Sequence, residues 1–164
     1  MLIPANRDRQ RVVGPEVNSP TGGSKMGLVY AELQLISGDD LALYRRGFLS
    51  EEKIKSIQVD ALVDSGAYML VITEHIKQQL DLPVLEERLA KLADESEHRV
   101  EVVGPIEIRF ENRRTISNAI VLPGAAEVLL GSIPMEDLDV LIDPKRQKLT
   151  VNPDNPNIPL TVVK

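Results

Sequence analysis

The sequence predicts a mainly β domain with one or two short helices. Three observations predict it. Apolar and polar residues alternate with a period of two in several separate stretches, turn-forming Gly, Pro, Asn and Asp lie between them, and one segment carries both helix boundaries. With 164 residues, 43% of them hydrophobic and only 3% aromatic, the chain suits one domain with an aliphatic core rather than two domains.

Residues 1–25 hold Arg7, Arg9, Arg11, Pro15, Pro20 and Thr21-Gly22-Gly23-Ser24, a polar, interrupted stretch with little to bury, and are expected to form a flexible arm. From Leu28 the pattern changes. Val29, Ala31, Leu33 and Leu35 alternate with Tyr30, Glu32 and Gln34, the period of a half-buried strand, and Ser37-Gly38-Asp39-Asp40 ends it. An irregular, charged connection through Tyr44, Arg45, Arg46 and Phe48 leads to a second strand, with Ile57, Val59, Ala61 and Val63 on one face, which runs directly into Asp64.

After Asp64-Ser65-Gly66-Ala67 comes the apolar run Met69-Leu70-Val71-Ile72, then a short helix. Thr73 caps it, Glu74 suits its positive end, Ile76 and Leu80 share a face, and Pro83 stops it. Leu85, Leu89 and Leu92 recur at helical spacing, which favours a second helix before the turn-like Ala93-Asp94-Glu95-Ser96. Val100-Glu101-Val102-Val103 reads as β, Gly104-Pro105 as a break, and Ile106, Ile108 and Phe110 as a strand ending at Asn112. Further strands are expected at 118–122 and at Val128-Leu129-Leu130, the latter ending at Gly131, with Ser132 as helix cap and Pro134 in the first helical turn. Residues 140–142 and 149–151 read as a terminal hairpin, and Ile158, Leu160 and Val162 in the tail alternate as an edge strand would.

Composition narrows the chemistry. Without Cys there is no disulfide, no thiolate ligand and no Cys nucleophile, and with only His75 and His98 no metal site or cofactor is expected. The 19 Lys and Arg against 25 Asp and Glu give a net charge of −6, so neither nucleic acid nor an anionic membrane is an expected partner. The first residues lack the apolar core of a signal peptide, and no run is long enough to span a membrane, so a cytoplasmic location is expected. His75 and His98 read as solvated residues, and Arg109, Arg113 and Arg114 as a strand-turn surface.

The chemistry-bearing group is Asp64-Ser65-Gly66-Ala67, a carboxylate at the mouth of a strand on a bend that glycine enters cheaply. Ser65 is placed to anchor the bend, and Ala67 leaves room for a ligand. An Asp-Ser/Thr-Gly triplet occurs by chance in roughly one chain of this length in fifteen, so the triplet alone decides little. Its setting adds weight. A buried strand leads in, an aliphatic strand leads out, and about sixty residues later Leu129-Leu130-Gly131 opens a helix.

With residues 61–67, the aliphatic run after them, Leu129-Leu130-Gly131 and the stretch 137–144, the sequence resembles the retropepsin-like aspartic proteases, the single-lobe family of the retroviral proteases and their bacterial relatives. The resemblance implies a small closed β-barrel over residues 26–152, with Asp64 as the catalytic carboxylate, and a tail 153–164 that could supply an edge strand at a dimer interface. It also implies a homodimer, because one chain offers one such acid while the reaction uses a pair about 3 Å apart. In that arrangement each Ser65 hydroxyl could reach the partner's loop. A flap hairpin is implied from about Leu89 to Val103, its tip at Ala93, Asp94, Glu95 and Ser96, which competes with the helical reading of 85–92 and departs from the family in lacking Gly. Ser132 stands where retroviral enzymes carry an Arg, so that Arg's dimer contacts do not carry over. The expected activity is cleavage of peptide bonds in peptide or protein substrates without a cofactor. The competing reading is a dimeric module that holds a peptide or partner strand without cutting it. Tyr68 either lines the cleft or packs.

Overall fold

The computed structural model describes residues 9–10 and 28–164. Among the described residues ten strands and three short α-helices follow one another: β1 (Arg9–Gln10), β2 (Tyr30–Ser37), α1 (Gly38–Arg45), a 3-10 turn (Glu51–Lys53), β3 (Ser56–Val63), β4 (Leu70–Ile72), α2 (Glu74–Gln79), β5 (Val84–Lys91), β6 (Glu97–Phe110), β7 (Arg113–Val121), β8 (Val128–Leu130), α3 (Ser132–Leu138), β9 (Val140–Asp143) and β10 (Lys148–Val151). Six of the strands close a ring in the order β3, β2, β6, β7, β4, β8 and back to β3. The closing contacts are parallel, with Ala61 beside Val128 and Val63 beside Leu130. The mainly β, closed-barrel expectation holds.

Alternation explains the core. Leu33 and Leu35 on β2, Ile57, Val59, Ala61 and Val63 on β3, Leu70 and Ile72 on β4, Ile106 and Ile108 on β6, Ala119 and Val121 on β7, and Val128 and Leu130 on β8 all point inward and are buried. Each full aliphatic burial contributes about 1.5–3 kcal/mol, so the ring is held by many small equal terms rather than by one contact. α2 closes the core with Ile76 and is followed by the buried Leu80, and Thr73 caps it as expected, its Oγ1 accepting from Ile76 N–H at 3.3 Å.

Several elements differ from expectation. Residues 38–45 form α1 rather than a turn and an irregular connection. Ser37 Oγ accepts from Asp40 N–H at 3.2 Å, two acids occupy the first turn and Arg45 the last, while Leu41 joins Ile36 and Ile54 in a small second core. The leucines at 85, 89 and 92 do not make a helix. They lie on or just beyond the exposed strand β5, where Leu89 is 70% exposed, so their spacing reflects no buried face. Gly104-Pro105 does not end a strand either; β6 runs through it with a shift of register against β7 between Val103 and Ile106. Gly104 is required there because its φ is +149° and a Cβ would sit 2.6 Å from Asn118 Oδ1. The cap of α3 is Gly131 rather than Ser132.

The terminal hairpin forms as expected, β9 and β10 pairing antiparallel from Val140–Val151 to Asp143–Lys148. Within the expected arm, Arg9 and Gln10 pair parallel to Gln58 and Val59, and the rest of the arm lies outside the described residues. Residues 152–164 form no strand within the chain. No helix among the described residues is long and apolar enough to cross a membrane.

Candidate functional site

The alternation that buries Val63 carries the chain out of the core at the next residue, and Asp64 is half-buried at the end of β3. Its backbone is fixed from two directions. Asp64 N–H donates to Leu130 C=O at 3.0 Å, and Ala67 N–H donates back to Asp64 C=O at 3.1 Å, closing a tight loop. Within that loop Gly66 N–H donates to Asp64 Oδ1 at 2.9 Å, which orients the carboxylate. Gly66 takes this turn without a positive φ, and glycine matters through close approach, because a Cβ would lie 3.1 Å from the same Oδ1.

The second motif is locked onto the first. Ser132 N–H donates to Ala67 C=O at 2.8 Å, and Ile133 N–H donates to Tyr68 C=O at 3.0 Å, so the start of α3 grips the chain just beyond Asp64. Gly131 makes that grip possible. A Cβ on it would sit 2.4 Å from Met69 O, 2.6 Å from Tyr68 C and 2.7 Å from Met69 N, all backbone atoms. Leu130 and Leu129 divide the remaining work, Leu130 filling the barrel and Leu129 facing out beside Leu62 and Val71. Tyr68 is 75% exposed next to the loop and does not pack in the core, and Ile133 is exposed beside it. Ser65 is exposed, and Ala67 half-buried.

Strands β5 and β6 make a long hairpin whose last pair is Lys91 with Glu97. Its tip is the stretch singled out in the sequence. Leu92 N–H donates to Ser96 C=O and Glu95 N–H to Leu92 C=O, each at 2.9 Å, and with no glycine available Glu95 takes the left-handed conformation at φ 66°. Asp94 secures the turn by accepting from Ser96 N–H at 3.0 Å and from Ser96 Oγ, and these bonds hold its carboxyl below the usual range. Ser96 Oγ and His98 Nε2 lie 2.9 Å apart. Ala93 is exposed.

Sequence reasoning overlooked three features around the site. Arg88 on β5 reaches back over the loop segment, its Nη1 4.0 Å from Met69 Sδ. A shallow pocket of about 250 Å³ opens between Leu92, His98 and Arg99 of the hairpin and residues 122–125 after β7. Tyr30 OH donates to Glu127 Oε1 at 2.6 Å, and that bond to an anion pushes the phenol up to about 12. The only sequence signal for the last pair was a Tyr on the outer face of β2. The arginines also divide: Arg114 is exposed and Arg109 pairs with Glu107 at 2.6 Å, but Arg113, expected on the surface, is fully buried beneath the chain that follows β10.

No curated protein matches the sequence. Among solved structures the chain is similar to the retroviral protease-like domain of Ddi1 from Leishmania major, with 17% identity, a TM-score of 0.51, and coverage of 79% of this chain and 91% of that one. That likeness is one of fold. A family profile described as aspartyl protease matches residues 51–142, which takes in the Asp64 loop, the hairpin and the Leu129-Leu130-Gly131 element. Spanning more than half of the sequence, the match places the chain in the aspartyl protease family, on a retropepsin-like barrel.

Proposed function

We propose that the chain is an aspartic endopeptidase that works as a homodimer, with one Asp64 from each copy. The observation that carries this reading is the braced loop at the end of β3, where Gly66 N–H holds Oδ1 of Asp64. A single carboxylate cannot both take a proton from water and give one to the substrate. Two of them about 3 Å apart share one proton: one acid draws the proton from the attacking water while the other hydrogen-bonds the substrate carbonyl and later passes a proton to the leaving amine as the C–N bond breaks. A two-fold axis between the two copies of the loop meets that need, and Ser65, exposed beside Asp64, is free to bond across it.

Three further features support the dimer. Tyr68 and Ile133 are exposed beside the loop, and the tail after residue 157 carries Ile158, Leu160, Val162 and Val163, each at least 59% exposed. We place the tail at the interface, and substrate between the loop and the β5–β6 hairpin. The test is cleavage of a peptide library by wild type, Asp64→Asn and Asp64→Ala. Both variants should lose all cleavage while sedimenting as the wild type does, and a statine-type inhibitor should block the wild type. Cleavage that survives in Asp64→Asn refutes the reading; a wild type that binds peptides without cutting them makes the barrel a binding module instead.

A further inference from the structure

Three side-chain and backbone donors of residues 152–160 converge on one carboxylate, beside a backbone bond from Asn152 N–H to Asp139 C=O at 3.1 Å. Asp139 lies at the end of α3 in the left-handed conformation, φ 54°. Its Oδ1 accepts from Asn152 Nδ2 at 2.9 Å, and its Oδ2 accepts from Asn155 Nδ2 at 3.0 Å and from Leu160 N–H at 2.9 Å. Facing the same Oδ2 at 3.8 Å is Arg113 Nη2, on a side chain with 0% exposure that also donates to Asn155 C=O. The Nε and Nη1 of that guanidinium have no partner among the described residues, so Asp139 is its nearest counter-charge. Asn112 Nδ2 adds one bond to Pro156 C=O at 2.8 Å.

We propose that Asp139 is an acid-sensitive latch that fixes the C-terminal tail for subunit association, so that its protonation frees the tail and dissolves the active dimer. The inference rests on the dimeric reading above. Protonation turns one acceptor oxygen into a hydroxyl donor, which then opposes a donor from Asn155, Leu160 or Asn152. It also leaves the Arg113 cation buried without a counter-charge, a costly state that the chain escapes by letting water in beneath the tail. Other charged groups nearby do not take over the role: Asp137 is engaged by Thr115 Oγ1, and Glu136 and Asp154 are exposed.

The sign follows from the bonds. They hold the Asp139 carboxyl below its ordinary value, the Leu160 N–H first among them. The tie is therefore complete above about pH 4 and fails as pH falls further, through the lowered value. Asp139 acts here as a positioning residue, some distance in sequence from the reacting acids. Asn keeps the left-handed backbone affordable and removes only the charge and one acceptor, so Asp139→Asn is the informative variant.

Three measurements decide the matter: cleavage after Leu160, by chymotrypsin at neutral pH and by pepsin in acid, as a probe of tail release, the dimer dissociation constant by sedimentation, and peptide turnover against protein concentration. At neutral pH, Asp139→Asn should speed tail cleavage and weaken the dimer by about tenfold or more, with turnover restored at high concentration. Wild type should reproduce that behaviour only in acid, and the variant should have lost the acid step. A chain shortened after Asn157, which lacks the cleavage site, should match the variant's dimer dissociation constant and turnover at every pH. An unchanged tail-cleavage rate in Asp139→Asn refutes the latch, and a released tail with unchanged dimerisation refutes its coupling to assembly. A wild type that is monomeric at all concentrations refutes the dimeric reading itself, and tail cleavage still reports on the latch in that case.

Discussion

Gly131 offers the sharpest test of how the candidate site is held. In Gly131→Ala the new methyl would stand 2.4 Å from Met69 O and within 2.7 Å of two more backbone atoms of residues 68 and 69. None of these is the tip of a side chain that could rotate away, so the start of α3 and the chain leaving the Asp64 loop must separate. Overpacking of this kind costs about 1–3 kcal/mol. Separation also strains two backbone hydrogen bonds, Ser132 to Ala67 and Ile133 to Tyr68, each contributing about 1 kcal/mol net. The expected loss is about 2–4 kcal/mol, read as a shift in the urea midpoint at constant slope. Peptide cleavage should fall further than the folded fraction does, because the same two bonds place Asp64. A variant within about 0.5 kcal/mol of wild type, with full turnover, would mean that the two motifs are not in contact.

Other expectations are more local. Leu130→Ala empties a fully buried position between β3 and β4 and should cost about 2–5 kcal/mol in chemical denaturation. Glu95→Gly relieves a left-handed non-glycine residue at the hairpin tip and should raise stability by about 0.5–1 kcal/mol, leaving Asp64 chemistry intact; a loss of stability would show that the Glu95 side chain matters. For Tyr30 the folded state favours the neutral phenol, with its value raised from 10.0 to about 12. Its advantage over Tyr30→Phe is therefore fully present below pH 10 and disappears between pH 10 and pH 12, which paired denaturation curves across that range will show or deny.

What the sequence made legible was local. Strands β2 and β3 were readable because their inward residues repeat every second position, β8 because an apolar run ends at Gly131, and Asp64 because a carboxylate followed by Ser and Gly interrupts such a strand. Both motifs were visible, but their contact was not: nothing near Gly131 states that Met69 passes beside it. α1 was hidden because it buries only Asp40 and Leu41, too little to give a helical period, although Ser37 and Asp40 already carried its cap. The leucines of β5 misled in the opposite direction, since a strand exposed on both faces leaves its side chains free to take any spacing. Arg113 shows the limit most plainly. Its burial is decided by residues 139 and 155, far along the chain, and no property of Arg113 or its neighbours announces it.

The ring closes through its two briefest members, β4 and β8, each of three residues and joined to one another at a single register pair. A cylinder with one weak seam opens there first, and here Asp64 and its clamp lie at that seam. Gentle heating should therefore silence the protein while the longer ladders of β2, β3, β6 and β7 still give an intact circular dichroism spectrum. Durability of activity and durability of the fold are separate quantities in this molecule, and stitching β4 to β8 more firmly is the way to raise the first.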